Sequence, residues 1–314
     1  MEALLQWGLD CIRLIQGWAN PPLTIFMRII TSLGSAGAYI LLLPFVYWCI
    51  DEKKGLHLGT MILISVWVNL SLKLLLNQPR PFFAGYDPSV GMISERLGGF
   101  PSGHAQNTLV MLTIICSWLT RRWAYIAAAL VCLLVGFSRL YLGVHFPTDV
   151  IGGWLIGGIL LAVYFLVRKR IEALIAKGGF RGGMYASAAL AFVMILYRPS
   201  VGLLMPGGMI LGLGAGYCLC KQYVNFSASA LGDYYVSAFG GRVGLAKYLT
   251  LLARFLMGII VLNLLLIGTE RIMGGMDNSG NYQLVVFLRF VLLALWISAG
   301  APWLFRFLRL AERT

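Results

Sequence analysis

Charged residues are scarce in this chain, and histidine is scarcer still. Asp, Glu, Lys and Arg make up 12% of the 314 residues, whereas soluble domains carry roughly 25%. Hydrophobic residues reach 59%. This composition excludes an ordinary soluble domain and predicts an all-α, polytopic transmembrane bundle, because a helix satisfies its own backbone hydrogen bonds in lipid.

Negative charge is the rarer sign. Only 12 acidic residues stand against 25 Lys and Arg, which leaves a formal charge of +13. The basic residues form short clusters between apolar runs and not one patch, so the excess predicts membrane topology and no nucleic-acid partner. The six cysteines show neither a disulfide framework nor zinc-site spacing, and no cleavable signal peptide is expected.

Nine apolar runs are candidates to cross a bilayer core about 30 Å thick. They cover residues 24–49, 57–77, 104–120, 123–139, 148–168, 183–197, 202–220, 249–268 and 282–303. Residues 1–23 precede them and predict an amphipathic helix in the membrane interface, with Asp10 and Arg13 opposite its apolar face and Pro21-Pro22 at its end.

Basic residues cluster in alternate connections. The clusters are Lys53-Lys54, Arg121-Arg122, residues 168–181, residues 221–247 (with Lys221, Arg242 and Lys247) and the carboxyl-terminal tail. Because positively charged connections stay in the cytoplasm, this pattern predicts that the amino end lies outside and the carboxyl end in the cytoplasm.

Two of the three histidines fall within a three-part motif. Its segments are Lys73-x6-Arg80-Pro81, Pro101-Ser102-Gly103-His104 and Ser138-Arg139-x5-His145-x3-Asp149. All three lie on the outer side of the predicted topology. The third and fourth runs form a hairpin, and each spans roughly 25 Å at 1.5 Å per residue, so the segments should converge at one membrane face.

The cationic part of the motif suits a phosphate ester, whose transition state spreads negative charge over its oxygens. Arg80 and Arg139 can each bind two of those oxygens, and Lys73 adds a compact charge. Ser102 and Gly103 open a helix, where backbone N–H groups and the helix dipole favour an anion.

The two histidines divide the remaining chemistry. Asp149 can accept a hydrogen bond from one ring nitrogen of His145, which leaves the other nitrogen nucleophilic. His104 can protonate the leaving alkoxide and then serve as the base when water hydrolyses the phosphohistidine. Asp149 is the only carboxylate in the motif segments, and no cluster with metal-ligand spacing lies outside them, so we expect neither a metal nor a cofactor.

In these three segments the chain resembles the type 2 phosphatidic acid phosphatase superfamily. The resemblance implies that His145 is the nucleophile, Asp149 its partner and His104 the acid. It also implies phosphate binding by Lys73, Arg80, Ser102, Gly103 and Arg139. The family core corresponds to residues 24–170.

Residues 171–314 then form an extension of further membrane helices. With Gly212–Tyr217 and Arg254–Gly258, this extension resembles the sphingosine-phosphate phosphatase branch. Its glycines predict close helix packing.

These observations predict a metal-independent lipid phosphate phosphatase on the extracytoplasmic side, with a site that opens sideways to the bilayer. Long-chain base phosphate, phosphatidate, phosphatidylglycerol phosphate and polyprenyl diphosphate all carry the group that the motif would bind. A lipid-linked phosphotransferase using the same phosphohistidine is the alternative. A transporter is disfavoured because no paired broken helices are recognisable, and the membrane composition disfavours a soluble haloperoxidase.

The topology makes a labelling prediction. Cysteine introduced at Ser89 or Ser94, in the 78–103 connection, should react with a membrane-impermeant thiol reagent added to intact cells. Cysteine at Lys54 should react only after the membrane is opened. The reverse pattern would place the motif on the cytoplasmic side.

Overall fold

The computed structural model describes residues 2–83, 87–93, 95, 97–197, 200–229, 245–274 and 281–311. These residues form helices and their connections with no strand among them, which confirms the all-α prediction. The helices, numbered in chain order, are α1 Glu2–Gln16, α2 Pro21–Ser32, α3 Ala36–Phe45, α4 Glu52–Leu76, α5 Gly103–Leu119, α6 Arg122–Tyr141, α7 Pro147–Tyr197, α8 Val201–Leu219, α9 Leu245–Met273, α10 Tyr282–Leu295 and α11 Ala301–Phe307. Single π turns follow α3, α8 and α10.

Six helices in the described part of the chain are long and apolar enough to cross a membrane. The pair α2 and α3, bent by 47°, makes a seventh if it crosses as one. The sequence predicted nine, and the difference lies in α5, which has only 17 residues, and in α7. The connection expected near residues 169–182 corresponds to a kink at Gly179, where φ is 55° and ψ is −137°, and α7 consists of two helical parts that meet there.

The amphipathic helix of the amino-terminal segment is present as α1, and its apolar residues divide into two sets. Leu5, Leu9 and Ile12 are buried and pack with Phe146 and Val90. A second set remains exposed, consisting of Leu4, Trp7 and Leu14. Helix α1 therefore packs over two connections of the protein in addition to presenting apolar side chains outward.

The prolines expected to end this helix begin the next one. Helix α1 stops at Gln16, and Pro21 occupies the first turn of α2. Asn20 caps α2 by accepting a hydrogen bond at its side-chain oxygen from the Leu23 N–H at 2.9 Å. Proline suits this position because its missing N–H would have no partner inside the helix.

The expected hairpin between α5 and α6 is confirmed. Thr120 ends α5 in the left-handed conformation, with φ of 51°, and its N–H donates to the Cys116 carbonyl at 3.2 Å. Helix α6 begins two residues later at Arg122. The amino end of α5 and the carboxyl end of α6 therefore lie at the same end of the hairpin.

The chain divides into two compact units. The first comprises residues 1–39 and 64–167, and the second comprises residues 40–63 and 168–314. The three motif segments all belong to the first unit. In the second unit the expected glycine packing is present, because a Cβ at Gly208 or Gly212 in α8 would overlap the carbonyls of Phe287 or Val291 in α10.

Of the two outer labelling positions, Ser89 is exposed, whereas Ser94 lies outside the described residues. Arg242, one of the predicted cytoplasmic cations, also lies outside them.

Candidate active site

Asp149 lies in the first turn of α7, where Pro147 begins the helix. Its Oδ2 accepts hydrogen bonds from the ring of His145 at Nδ1 (3.1 Å) and from the Phe146 N–H (2.9 Å). Its Oδ1 accepts one from the side-chain amide of Gln78 at 3.1 Å. The carboxylate is fully buried, and the helix amino terminus favours its negative charge.

His145 presents its second ring nitrogen to Arg80, whose Nη1 lies 3.3 Å from Nε2. A guanidinium can only donate, so Nε2 is the unprotonated nitrogen and Nδ1 carries the proton donated to Asp149. Burial, followed by the charges of Arg80 and Arg139, holds the pKa of His145 well below its usual range. The imidazole is therefore neutral at physiological pH, with its lone pair on Nε2.

The turn between α6 and α7 carries His145 to this position. Gly143 adopts a φ of +67°, which favours glycine over residues with side chains. The backbone N–H groups of Leu142, Gly143 and Val144 all donate back to carbonyls of α6, and the Val90 carbonyl lies against Gly143. Any other residue at position 143 would be strained in this backbone conformation, and its Cβ would overlap the Val90 carbonyl oxygen.

Two buried guanidiniums, those of Arg80 and Arg139, lie within electrostatic range of His145. Arg80 donates from Nη1 to the Val144 carbonyl at 2.8 Å and from Nε to the Leu97 carbonyl at 2.6 Å. Burial lowers the pKa of Arg80 to about 10, so the side chain remains charged at physiological pH.

Glu95 bridges the two arginines, and the sequence analysis missed it. One carboxylate oxygen lies 3.3 Å from Arg80 Nη2, and the other accepts a hydrogen bond from Arg139 Nη2. Arg139 also donates from Nη1 to the Thr31 hydroxyl of α2 at 2.7 Å. Burial opposes ionisation of Glu95, but the Arg139 and Arg80 charges together lower its pKa.

Lys73, at the end of α4, directs its ammonium group at the 78–103 connection. Its Nζ donates to the carbonyls of Gly98 and Gly99, the second at 3.0 Å. The Gly99 N–H in turn donates to the Gln78 carbonyl at 2.7 Å. This lysine therefore fixes main chain as well as supplying charge.

Ser102 caps α5, and its Oγ accepts a hydrogen bond from the Ala105 N–H at 3.5 Å. Its own N–H donates to the Asp149 carbonyl at 2.9 Å, so this group is not available to an anion as the sequence had suggested. Gly103 and His104 remain in the first turn, where backbone N–H groups have no partner inside the helix.

His104 packs against the break between α2 and α3. A Cβ placed on Gly34 would lie 3.1 Å from His104 Cδ2 and 2.8 Å from the Thr108 hydroxyl. His104 is also within electrostatic range of Glu95. The bend that interrupts the first apolar run thus provides a surface for the imidazole.

Buried polar side chains join α4 to α5. Asn69 donates to the Pro101 carbonyl at 3.2 Å and to the side-chain oxygen of Gln106 at 2.9 Å. Gln106 donates to the Ser65 hydroxyl at 2.9 Å, and Ser65 donates to Asn107 at 2.6 Å. Removing any one of these side chains would leave another buried polar group without a hydrogen-bond partner, which is unfavourable. This network therefore holds together α4 and α5, the two helices that carry the first two motif segments.

The structure places every predicted site residue in the first unit, and direct hydrogen bonds connect four of them, Arg80, Ser102, His145 and Asp149. The predicted site residues are Lys73, Arg80, Ser102, Gly103, His104, Arg139, His145 and Asp149. Sequence reasoning missed Thr31, Gly34, Gln78 and Glu95. Gln78 lies inside the first motif segment, and the connection after it carries only two acidic residues, Asp87 and Glu95; Thr31 and Gly34 gave no signal.

No group of three or more His, Cys, Asp or Glu side chains within the described ranges could hold a metal ion. All six cysteines have free thiols, and Cys116, Cys132 and Cys220 are buried.

Two family models match this chain. One, described as the PAP2 superfamily, matches residues 54–172. The other, described as the PAP2 superfamily phosphatase, transmembrane extension, matches residues 204–313.

Individual proteins are also similar to this chain. Phosphatidylglycerophosphatase B of Bacillus subtilis (strain 168) is 30% identical over 169 residues, covering 49% of this chain and 75% of that protein. Sphingosine-1-phosphate phosphatase 2 of Mus musculus is 31% identical over 160 residues, covering 47% of this chain but only 43% of that protein. A crystal structure of a transmembrane PAP2-type phosphatidylglycerolphosphate phosphatase from Bacillus subtilis is 28% identical, with a TM-score of 0.47, over 55% of this chain and 89% of that one.

The packing of Gly34 makes a prediction about His104. Gly34→Ala should lower kcat for lipid phosphate by up to about a hundredfold while the protein still folds, because the added methyl group displaces the imidazole. Gly37→Ala is the matched control, since a Cβ there meets only Ser35 Oγ at 3.7 Å. Steady-state kinetics together with thermal unfolding check the pair, and equal activity in the two variants would contradict the role of this contact.

Proposed function

Because this chain belongs to the PAP2 superfamily, we propose that it hydrolyses the phosphate group of a membrane lipid through a phosphohistidine on His145. The chain is an integral membrane protein with several spans, so a lipid can reach it within the bilayer. Its relatives include phosphatases named for a phosphatidylglycerol phosphate and for sphingosine 1-phosphate, and both substrates are phosphomonoesters.

One observation carries this proposal: the two ring nitrogens of His145 have opposite partners. Nδ1 lies 3.1 Å from the Asp149 carboxylate, and Nε2 lies 3.3 Å from the Arg80 guanidinium. The imidazole is thus neutral, oriented and directed at a cation that can hold phosphate oxygens. A nucleophile that attacks phosphorus needs this combination.

In the first step Nε2 of His145 attacks the phosphorus atom, and the bond from phosphorus to the lipid oxygen breaks. Asp149 stabilises the positive charge that develops on the imidazole. His104 gives its proton to the leaving alkoxide. The guanidiniums of Arg80 and Arg139 stabilise the transferring phosphoryl group as its charge spreads over the equatorial oxygens.

In the second step water attacks the phosphohistidine, and the bond between nitrogen and phosphorus breaks. His104, now neutral, accepts the proton of the attacking water. Inorganic phosphate leaves, and His145 returns to its neutral form. The first-turn N–H groups at Gly103 and the charge of Lys73 contribute to holding the phosphoryl group through both steps.

The chemistry belongs on the extracytoplasmic side, with the pocket open laterally to lipid. The distribution of basic clusters supports that side. The motif residues stand at the ends of α4, α5, α6 and α7. A lipid head group at the surface of the bilayer can reach helix ends from the side, which supports lateral access.

Release of inorganic phosphate tests the proposal. Purified protein should release phosphate from long-chain base phosphate or phosphatidate in excess chelator, and vanadate should inhibit it as an analogue of five-coordinate phosphorus. His145→Ala should lower turnover at least about a thousandfold without unfolding the protein. Transfer of the phosphoryl group to a lipid or sugar in place of water would favour the phosphotransferase, and metal-dependent recovery of activity would contradict the metal-free mechanism.

The leaving group tests the role of His104. His104→Ala should lower kcat/KM for an alkyl phosphate by roughly a hundredfold or more, because a poor leaving group needs a proton. An activated aryl phosphate leaves without one and should lose far less. Equal losses on the two substrates would show that His104 is not the general acid.

A further inference from the structure

Glu95 occupies the position that the proposed mechanism assigns to a substrate phosphate. Its two oxygens contact different arginines, Oε2 at 3.3 Å from Arg80 Nη2 and Oε1 on Arg139 Nη2. Two oxygens of a tetrahedral phosphate bridge a pair of guanidiniums in the same way. An incoming phosphate must therefore displace this carboxylate.

Glu95 is also the outermost member of the cluster. Its side chain is 28% exposed, whereas those of Arg80 and Arg139 are 2% and 1% exposed. Buried cations without a counter-ion are costly, and Glu95 supplies one to Arg80 and Arg139. Of these three side chains, Glu95 is the one that solvent reaches.

The main chain on both sides of Glu95 is attached to the site, so the displaced carboxylate cannot go far. The Met92 N–H donates to the Leu142 carbonyl at 3.1 Å, and the Leu97 carbonyl accepts from Arg80 Nε at 2.6 Å. Residue 95 is two residues from Leu97, a reach of roughly 7 Å at 3.3–3.6 Å per residue. The displaced charge thus stays within about one Debye length of the bound phosphate.

We propose that Glu95 is a specificity-determining residue that favours phosphomonoesters over diphosphates. This inference rests on the proposed function of the pocket as a lipid phosphate site. With one phosphoryl group on the arginines, a second phosphoryl group in the same substrate lies toward the pocket mouth, where the carboxylate of Glu95 repels it. A monophosphate carries no such second charge.

The charges of the described residues agree with this selection. Arg80 and Arg139 together neutralise one dianionic phosphate, and Lys73 and Asp149 offset each other. Arg28, a further cation beside this connection, is exposed and donates to the Met92 carbonyl at 3.2 Å. Because solvent screens the charge of Arg28, this charge offsets the repulsion from Glu95 only weakly.

Binding of inorganic phosphate and of pyrophosphate to the full-length protein in detergent tests the proposal without turnover. Their apparent Kd values follow from the dependence of the thermal unfolding midpoint on anion concentration, with chelator present. Glu95→Gln should bind both anions more tightly, because the competing carboxylate is gone. The affinity of Glu95→Gln for pyrophosphate should rise about tenfold more than its affinity for phosphate. That difference is the effect expected from removing the repulsion between the Glu95 carboxylate and the one or two negative charges of the second phosphoryl group.

Hydrolysis supplies the second measurement, with phosphatidate and diacylglycerol diphosphate of the same acyl chains. The ratio of kcat/KM values should shift about tenfold toward the diphosphate in Glu95→Gln, and Glu95→Asp should keep the wild-type ratio. Asp87→Asn is the matched control. It removes the other described carboxylate of the same connection, which pairs with Arg13 at 2.8 Å and touches neither site arginine, so the ratio should not move.

Two results would overturn the proposal. If both anions bind more tightly by the same factor, Glu95 is only a resident counter-ion. If both bind more weakly, Glu95 serves to position the arginines. Should Glu95→Gln fail to fold, Glu95→Ala makes the same predictions. If the wild-type protein binds both anions yet releases phosphate from neither lipid, the proposed function fails while the binding ratio still decides the role of Glu95.

Discussion

One residue, Asp149, connects the three segments of the motif. Its carboxylate accepts hydrogen bonds from Gln78 in the first segment and His145 in the third, and its backbone carbonyl accepts one from the Ser102 N–H in the second. These segments are separated by dozens of residues but meet at the first turn of α7. A change in the position of this turn would therefore move His145, the Ser102 cap of α5 and the 78–103 connection together.

Positive charge is the second constraint on this site. Lys73, Arg80 and Arg139 are nearly inaccessible to solvent, where an unpaired charge is strongly unfavourable. The three cations are stabilised by hydrogen bonds to carbonyl oxygens and one hydroxyl group and by the carboxylate of Glu95. Burial, and after it the charges of these same cations, lower the pKa of His145, so the groups that would bind phosphate also help to keep the imidazole neutral.

The sequence predicted the helical class, the hairpin of α5 and α6 and the convergence of the motif, because each depends on local spacing and composition. It could not predict the bend between α2 and α3, where Gly34 meets His104, since only tertiary contact distinguishes that glycine from others in an apolar run. The basic stretch near residues 169–182 resembles a connection in composition, and α7 is kinked within it at Gly179, but the residues on either side of the kink are helical. Glu95 was missed because acidic residues in long connections are ordinary.

The binding partners of Lys73 and Arg80 have an evolutionary consequence. Both cations bind main-chain carbonyls of residues 97–99, and every amino acid offers a carbonyl. Substitutions along the connection can therefore change the side chains at the pocket mouth without removing what holds the cations in place. The positions of Lys73 and Arg80 can in this way be retained while the surface that contacts the lipid head group changes. One ancestral protein could then give rise to enzymes for chemically different lipids.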